Sequence, residues 1–157
     1  MAAKTTRKAA PALTANNHDP IRPQLSDLIY LIGFTDAELD PLMDICLRNA
    51  KANILTDINQ EEMPAGLHNA CACRAAGEYL RIKLDSGTLT AGQLDALQPE
   101  AMEYAVKQIK EGEVSTTFAV GDSKDPRESA LARLAALAKW LANYGAEMLP
   151  AHRRMRW

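Results

Sequence analysis

Apolar side chains recur every three or four residues in four stretches of the chain, which is the spacing of one face of an α-helix. The first stretch is short, covers residues 25–32, and is followed by Gly33, which is suited to end a helix. The second is expected to start near Thr35 or Asp36, either of which is placed to cap it. Its apolar stripe consists of Leu39, Leu42, Met43, Cys46, Ala50, Ile54 and Ile58.

The third stretch carries two neighbouring apolar stripes, so we expect it to lie buried in the middle of a helical bundle. The stripes are Leu67, Cys71, Ala75, Tyr79 and Ile82 on one face and Ala72, Ala76, Leu80 and Leu84 on the next. Gly77 within this helix costs up to about 1 kcal/mol relative to alanine, which implies close approach by another helix. A fourth helix is predicted to begin at Pro126, capped by Asp125, and to end at Pro150.

Between the third and fourth helices the spacing of the apolar side chains changes to two, which is typical of a strand. Residues 114–120 alternate β-branched or aromatic side chains with small ones, and Glu111-Gly112 suits a tight turn. The pattern predicts a β-hairpin at about residues 104–120. The predicted fold class is therefore mainly α, a small bundle of three main helices and a short leading helix, with an inserted hairpin and extended terminal arms.

The chain of 157 residues has the size of one domain with two arms. Residues 1–22 show no apolar periodicity and are predicted to form a flexible basic arm. The bundle is assigned to residues 23–148, and residues 149–157, which include the sequence AHRRMRW, to a C-terminal docking arm. Tryptophan and arginine are residue types that often anchor interfaces, so this arm is expected either to fold back on its own domain or to bind a partner.

Charge is distributed unevenly along the chain, whose formal net charge is −2. Residues 1–23 and residues 148–157 each carry a net charge of +3, which leaves −8 for residues 24–147. Basic ends on an acidic body indicate that the ends are the parts that meet negatively charged surfaces. For the N-terminal arm, a contribution to solubility alone explains the charge at least as well.

The sequence contains no pattern typical of a catalytic or cofactor site. His68, Cys71 and Cys73 suggest a metal site, but side chains two residues apart on a helix point about 200° away from each other, so the two thiols do not converge on one ion. The glycines lack the spacing of a phosphate-binding loop. The cysteine spacing and the polar first residues predict synthesis in a reducing cytoplasm, and no apolar run is long enough to span a membrane. We therefore expect no catalytic residue, cofactor or metal, and no enzymatic activity.

Four stretches, taken in order, resemble the head–tail connector, or neck adaptor, proteins of tailed bacteriophages. They are LIYLIGFTDAELDPLMDICLRNAKANILTDIN, AGEYLRIKLDSGTL, VKQIKEGEVSTTF and LAKWLANYGAEMLPAHRRMRW. The more specific signal is their order, with a VKxIxxG hairpin before a final helix and an arginine-rich end that closes on tryptophan. The resemblance covers residues 24–157.

This resemblance implies a structural virion protein that forms a homo-oligomeric ring, a dodecamer, beneath the portal protein. The ring would join the portal of the phage head to the tail and continue the DNA channel, through which DNA passes without specific binding. The expected partners are the portal protein, further copies of the chain, and the next neck or tail protein, with no membrane. The expected location is the virion neck, after assembly in the host cytoplasm.

Two groups of residues are candidate contact sites. By resemblance, the C-terminal arm reaches the portal ring, where Trp157 fills an apolar pocket and the arginines pair with carboxylates. The portal-docking residues are His152, Arg153, Arg154, Arg156 and Trp157. The hairpin residues expected to contact a neighbouring subunit or a tail-side protein are Lys107, Lys110, Glu111, Gly112 and Glu113. A hairpin folded on its own bundle is an equally good alternative.

A second hypothesis is a small helical DNA-binding or regulatory protein that uses its basic terminal arms. Basic tails can neutralise phosphates, which favours this class. Against it, no predicted helix carries the clustered lysines and arginines of a recognition helix, and the acidic body would oppose binding to duplex DNA.

Overall fold

The computed structural model describes residues 19–35, 40–89, 93 and 126–155, with side chains from residue 130 onward in the last range. These residues form α1 (Ile21–Ile32), α2 (Pro41–Ile58), α3 (His68–Asp85), α4 (Pro126–Ala142) and the single turn α5 (Leu149–His152). Short 3-10 turns at Ala65–Leu67 and Ala146–Met148 precede α3 and α5. The prediction of a mainly helical fold is confirmed. The hairpin predicted at about residues 104–120 lies outside the described residues.

Helix α3 lies at the centre of the bundle, where it contacts α1, α2 and α4. Both of its predicted apolar stripes face the core. The buried residues of α3 are Ala70, Cys71, Ala72, Cys73, Ala75, Ala76, Gly77, Tyr79 and Leu80. Most of these side chains are small, and they allow the neighbouring helices to pack closely against α3 on several sides. The predicted central position of this helix is confirmed.

Each of the other three long helices buries one apolar stripe against the core. The buried side chains are Ile21, Leu25, Leu28, Ile29 and Ile32 in α1, Met43, Cys46, Leu47, Ala50, Ile54 and Ile58 in α2, and Ala130, Leu134, Leu137, Ala138 and Leu141 in α4. The stripe predicted for the second helix therefore faces the core from Met43 to Ile58. Leu42 is half-buried at its edge.

The bundle begins earlier along the chain than the sequence pattern predicts. Helix α1 starts at Ile21, and the Arg22 guanidinium pairs with the Asp44 carboxylate on α2 at 2.8 Å. Asp19 accepts a hydrogen bond from Lys51 of α2. Residues 19–22, which the pattern assigns to the flexible arm, thus belong to the bundle, because Ile21 is buried in the core and ion pairs join Asp19 and Arg22 to α2.

Helix α2 begins at Pro41 with Asp40 as its amino-terminal cap, whereas the sequence predicted a cap at Thr35 or Asp36. The Asp40 carboxylate accepts a hydrogen bond from the Leu42 N–H at 3.0 Å. Proline at the first helical position removes no intrahelical hydrogen bond, so the Asp-Pro pair is a favourable start. Thr35 lies in a turn and Asp36 lies outside the described residues.

Asp40 also connects the start of α2 to the central helix. Its carboxylate accepts a hydrogen bond from the Tyr79 hydroxyl at 3.1 Å and pairs with the Lys83 ammonium at 2.6 Å. The ammonium lies 5.4 Å from the centre of the Tyr79 ring. Burial alone would raise the pKa of Asp40, but Lys83, the Leu42 N–H and the Tyr79 hydroxyl together hold that pKa below its usual value.

We expect Asp40 to make the protein lose stability as the pH falls into the acid range. Because its pKa is lower in the folded state than in the unfolded state, the ionised carboxylate stabilises the fold above about pH 4, and this contribution is lost as the pH falls through the folded-state pKa. An Asp40→Asn variant keeps the shape of the side chain but not its charge. Urea unfolding should show that the variant is less stable than the wild type at neutral pH, and that this difference in free energy of unfolding becomes smaller at acidic pH. An equal difference at both pH values would contradict the prediction.

Candidate functional site

The chain after α4 turns back across the bundle and brings the predicted docking arm to the carboxyl end of α2. Gly145 makes the turn in a left-handed conformation with φ of 70°, and a Cβ at this position would lie 2.7 Å from the Cβ of Ala70. After α5, which contacts α2, the backbone becomes extended at Arg153. We call residues 149–155 the tail segment.

Three hydrogen bonds fix the backbone of the tail segment. The Arg154 N–H donates to the Ile58 carbonyl at 2.9 Å. The side-chain amide of Asn59 donates to the Arg154 carbonyl at 3.1 Å. The side-chain amide of Gln60 donates to the His152 carbonyl. The three consecutive peptide units from His152 to Met155 are therefore each held by one hydrogen bond from the bundle of the same subunit. We call Ile58, Asn59 and Gln60 the cradle.

The way in which α2 ends explains why this cradle forms. The last carbonyls of any helix have no partner within the helix. Asn59 ends α2 in a left-handed conformation with φ of 54°. Glycine is the residue most often found in this conformation at a helix end, and asparagine is the next most suitable. The chain therefore leaves the helix axis at Asn59, and the Ile58 carbonyl takes its donor from Arg154 of the tail segment. The side chains of Asn59 and Gln60 are half-buried beside it.

Most side chains of the tail segment face solvent, although its backbone is bonded to the bundle. Arg153 and Arg154 are exposed, and Met155 is 80% exposed. His152 is half-buried, and its ring lies close to Gly66, where a Cβ would be 3.4 Å from the ring atoms Cε1 and Nε2. Among the described residues, neither arginine is paired with a carboxylate. The backbone is anchored to α2, and both guanidinium-bearing side chains are exposed.

The structure describes three of the five predicted portal-docking residues, His152, Arg153 and Arg154, and brings them together on one short segment. Arg156 and Trp157 lie outside the described residues. The predicted hairpin contact residues also lie outside them, namely Lys107, Lys110, Glu111, Gly112 and Glu113.

The three cysteines lie in the core. Cys46, Cys71 and Cys73 are free and buried, and burial raises the pKa of each thiol to about 12. A thiol with so high a pKa is a poor nucleophile, because nucleophilic attack requires the thiolate. In the part of the chain that the structure describes, no cluster of three His, Cys, Asp or Glu side chains is placed to hold a metal ion. No described helix combines the length and the apolar character that crossing a membrane would require.

The geometry of the tail segment therefore defines a candidate interaction site: two exposed arginines on a backbone that is anchored to the bundle. Comparisons with known protein families, with curated proteins and with solved structures give no match to this chain.

Proposed function

We propose that this chain is a structural subunit of the head–tail connector of a tailed bacteriophage, a ring protein that joins the portal to the tail and catalyses no reaction. The order of the four sequence stretches that resemble neck adaptor proteins supports this family. The proposed docking mechanism rests on one observation: Arg153 and Arg154 are exposed, while the backbone of the tail segment is anchored to the bundle.

The energetics of such a joint favour this use of the tail segment. An arginine that becomes fully desolvated against carboxylates at an interface can contribute about 2 kcal/mol or more. In a ring, every subunit presents the same contacts, so that modest binding by each one gives a durable assembly. A dodecameric ring would present two dozen copies of Arg153 and Arg154 in total. We propose the portal protein as the partner that supplies the carboxylates, with Trp157 filling an apolar pocket nearby.

The charge of the bundle fits a protein through whose ring DNA passes. Residues 24–147 carry a net charge of −8, and α1, α2 and α3 each expose carboxylates, at Asp27, Asp57 and Asp85. Negative charge on the protein repels the phosphate backbone and weakens nonspecific binding. A subunit of a DNA channel benefits from weak binding, because the DNA must slide. The proposed location is the virion neck.

The proposal includes a second contact, through the hairpin predicted at about residues 104–120. Its residues Lys107, Lys110, Glu111, Gly112 and Glu113 would meet either the neighbouring copy in the ring or the next neck or tail protein. An exposed strand edge can pair with another chain through main-chain hydrogen bonds, which is the basis of this part of the proposal.

Electron microscopy of the purified protein mixed with the portal protein of the same phage tests the proposed function. We expect rings of the protein stacked coaxially on portal rings, and cosedimentation of the two proteins in a fixed ratio. Neither should occur when the portal is replaced by an unrelated ring protein of similar size. A protein that stays separate from the portal at micromolar concentration would contradict the proposal.

A binding experiment with duplex DNA tests the alternative function, which the exposed arginines of the tail segment support. If the protein is a connector subunit, its affinity for DNA should be negligible at physiological salt. Measurable binding whose affinity falls steeply with rising salt is the signature of phosphate contacts. That result, together with no portal binding, would favour the DNA-binding protein.

A further inference from the structure

We propose that Asn59 and Gln60 are positioning residues, which hold the tail segment from His152 to Arg154, where its backbone leaves α5 and becomes extended, in the conformation in which it docks. The inference rests on the proposed function for its partner, an acidic protein surface on the portal. The new element is that the bundle itself orders the tail segment before docking. It does so through Asn59 and Gln60, which the sequence pattern does not identify as site residues.

The first argument is the direction of the hydrogen bonds. Both amides donate to main-chain carbonyls of the tail segment, at His152 and at Arg154, and the Arg154 N–H donates back to α2. Hydrogen bonds to the main chain at both ends of a short peptide fix its backbone conformation but leave its side chains free to bind elsewhere. A segment that is already ordered loses less conformational entropy when it docks, so it binds more tightly than a flexible one with the same side chains.

The second argument is the exposure of the side chains that the cradle leaves free. A segment that is parked out of reach of its partner would bury the side chains that the partner recognises. Here Arg153 and Arg154 are exposed and Met155 is 80% exposed, whereas the backbone carries the contacts with α2. The cradle therefore presents the arginines and the thioether rather than concealing them. Their chemistry fits a partner surface that combines carboxylates with an apolar contact.

The variant that tests this inference is Asn59→Gly combined with Gln60→Ala. Asn59 has a positive φ, which glycine adopts without strain, so Asn59→Gly removes the amide and preserves the end of α2. Gln60→Ala removes the second amide. The matched control is Asn143→Ala, which removes an exposed amide that donates to the Lys139 carbonyl at 2.9 Å and not to the tail segment.

Hydrogen exchange of the Arg154 amide, followed by NMR, measures whether the cradle orders the segment. We expect this amide to be protected in the wild type, and its exchange in the double variant to be at least about tenfold faster, as two lost hydrogen bonds of ordinary strength imply. The affinity for the purified portal ring should fall by about the same factor, because the ordering entropy must then be supplied on docking. The thermal midpoint of unfolding should fall by only a few degrees, as a tenfold change in this local equilibrium implies, and the Asn143→Ala control should change neither exchange nor affinity.

Four outcomes would overturn the inference. An Arg154 amide that exchanges at the rate of an unstructured peptide in the wild type would show that the cradle does not order the segment. Unchanged exchange in the double variant would show that the two amides do not hold it. Faster exchange with equal portal binding would show that the cradle plays no part in docking, and faster exchange with tighter binding would show that it restrains docking. A wild type with a protected amide and no portal binding would contradict the proposed function, and with it the docking role, while the ordering by the cradle would stand.

Discussion

Replacement of Gly77 by alanine is expected to destabilise the protein by about 3 kcal/mol, a large loss for a change that adds one methyl group. In an exposed helix the same change would stabilise by up to about 1 kcal/mol, because alanine has the higher helix propensity. Here a Cβ would lie 2.6 Å from the nitrogen of Ala142 and 2.8 Å from the carbonyl oxygen of Ala138. Both atoms belong to the backbone of α4, so no side chain can rotate away and the two helices must separate.

Gly66→Ala is the matched control for this prediction. A Cβ at Gly66 would meet only the edge of the His152 ring, at 3.4 Å, which is an ordinary van der Waals contact. We expect this variant to change the free energy of unfolding by less than about 1 kcal/mol in urea denaturation. A Gly77→Ala variant that is as stable as the wild type would show that α3 and α4 do not pack as closely as described.

The sequence predicted the core helix α3 well, because its two apolar stripes and its internal glycine all depend on the 3.6-residue period of one helix. The tight packing inferred from Gly77 alone is confirmed, because a Cβ at this position would lie less than 3.0 Å from backbone atoms of Ala138 and Ala142. Patterns of this kind are local. They specify which face of a helix is buried, and in a small bundle that is enough to place the helix.

The start of α2 was not predictable in the same way. Thr35, Asp36 and Asp40 are all acceptable cap residues, and the local pattern does not rank them. The choice of Asp40 is favoured by contacts with the central helix, since its carboxylate also meets Tyr79 and Lys83. These partners lie about forty residues further along the chain, and only the tertiary fold brings them together.

The candidate site was predictable in composition but not in geometry. The cluster of arginines identified the tail segment, and Arg153 and Arg154 are indeed exposed. Its anchoring in the cradle joins residues 95 positions apart, Asn59 and Arg154, and leaves no periodic signal in the sequence. The one local hint was an asparagine after the last apolar position of α2, a residue type that often ends helices and can donate from its side chain.

A double charge reversal, Arg153→Glu with Arg154→Glu, is expected to abolish docking on the portal while the fold is retained. Each arginine can contribute about 2 kcal/mol at a desolvated interface, so losing both should weaken binding by each subunit about a thousandfold, and repulsion between carboxylates should weaken it further. The two side chains are exposed, and the hydrogen bonds of the tail segment come from its backbone. Circular dichroism and thermal unfolding should therefore match the wild type. Cosedimentation with portal rings measures the loss.

Arg48→Glu combined with Arg81→Glu is the control, because it makes the same change in net charge at two exposed arginines on α2 and α3. If net charge alone governed attachment, both double variants would lose it equally. If the tail segment is the docking site, only the first variant should lose it, and hydrogen exchange at residue 154 should show that the segment remains in its cradle. Retained docking by the Arg153→Glu, Arg154→Glu variant would contradict the role proposed for the tail, because no interface built on these guanidinium groups tolerates carboxylates in their place.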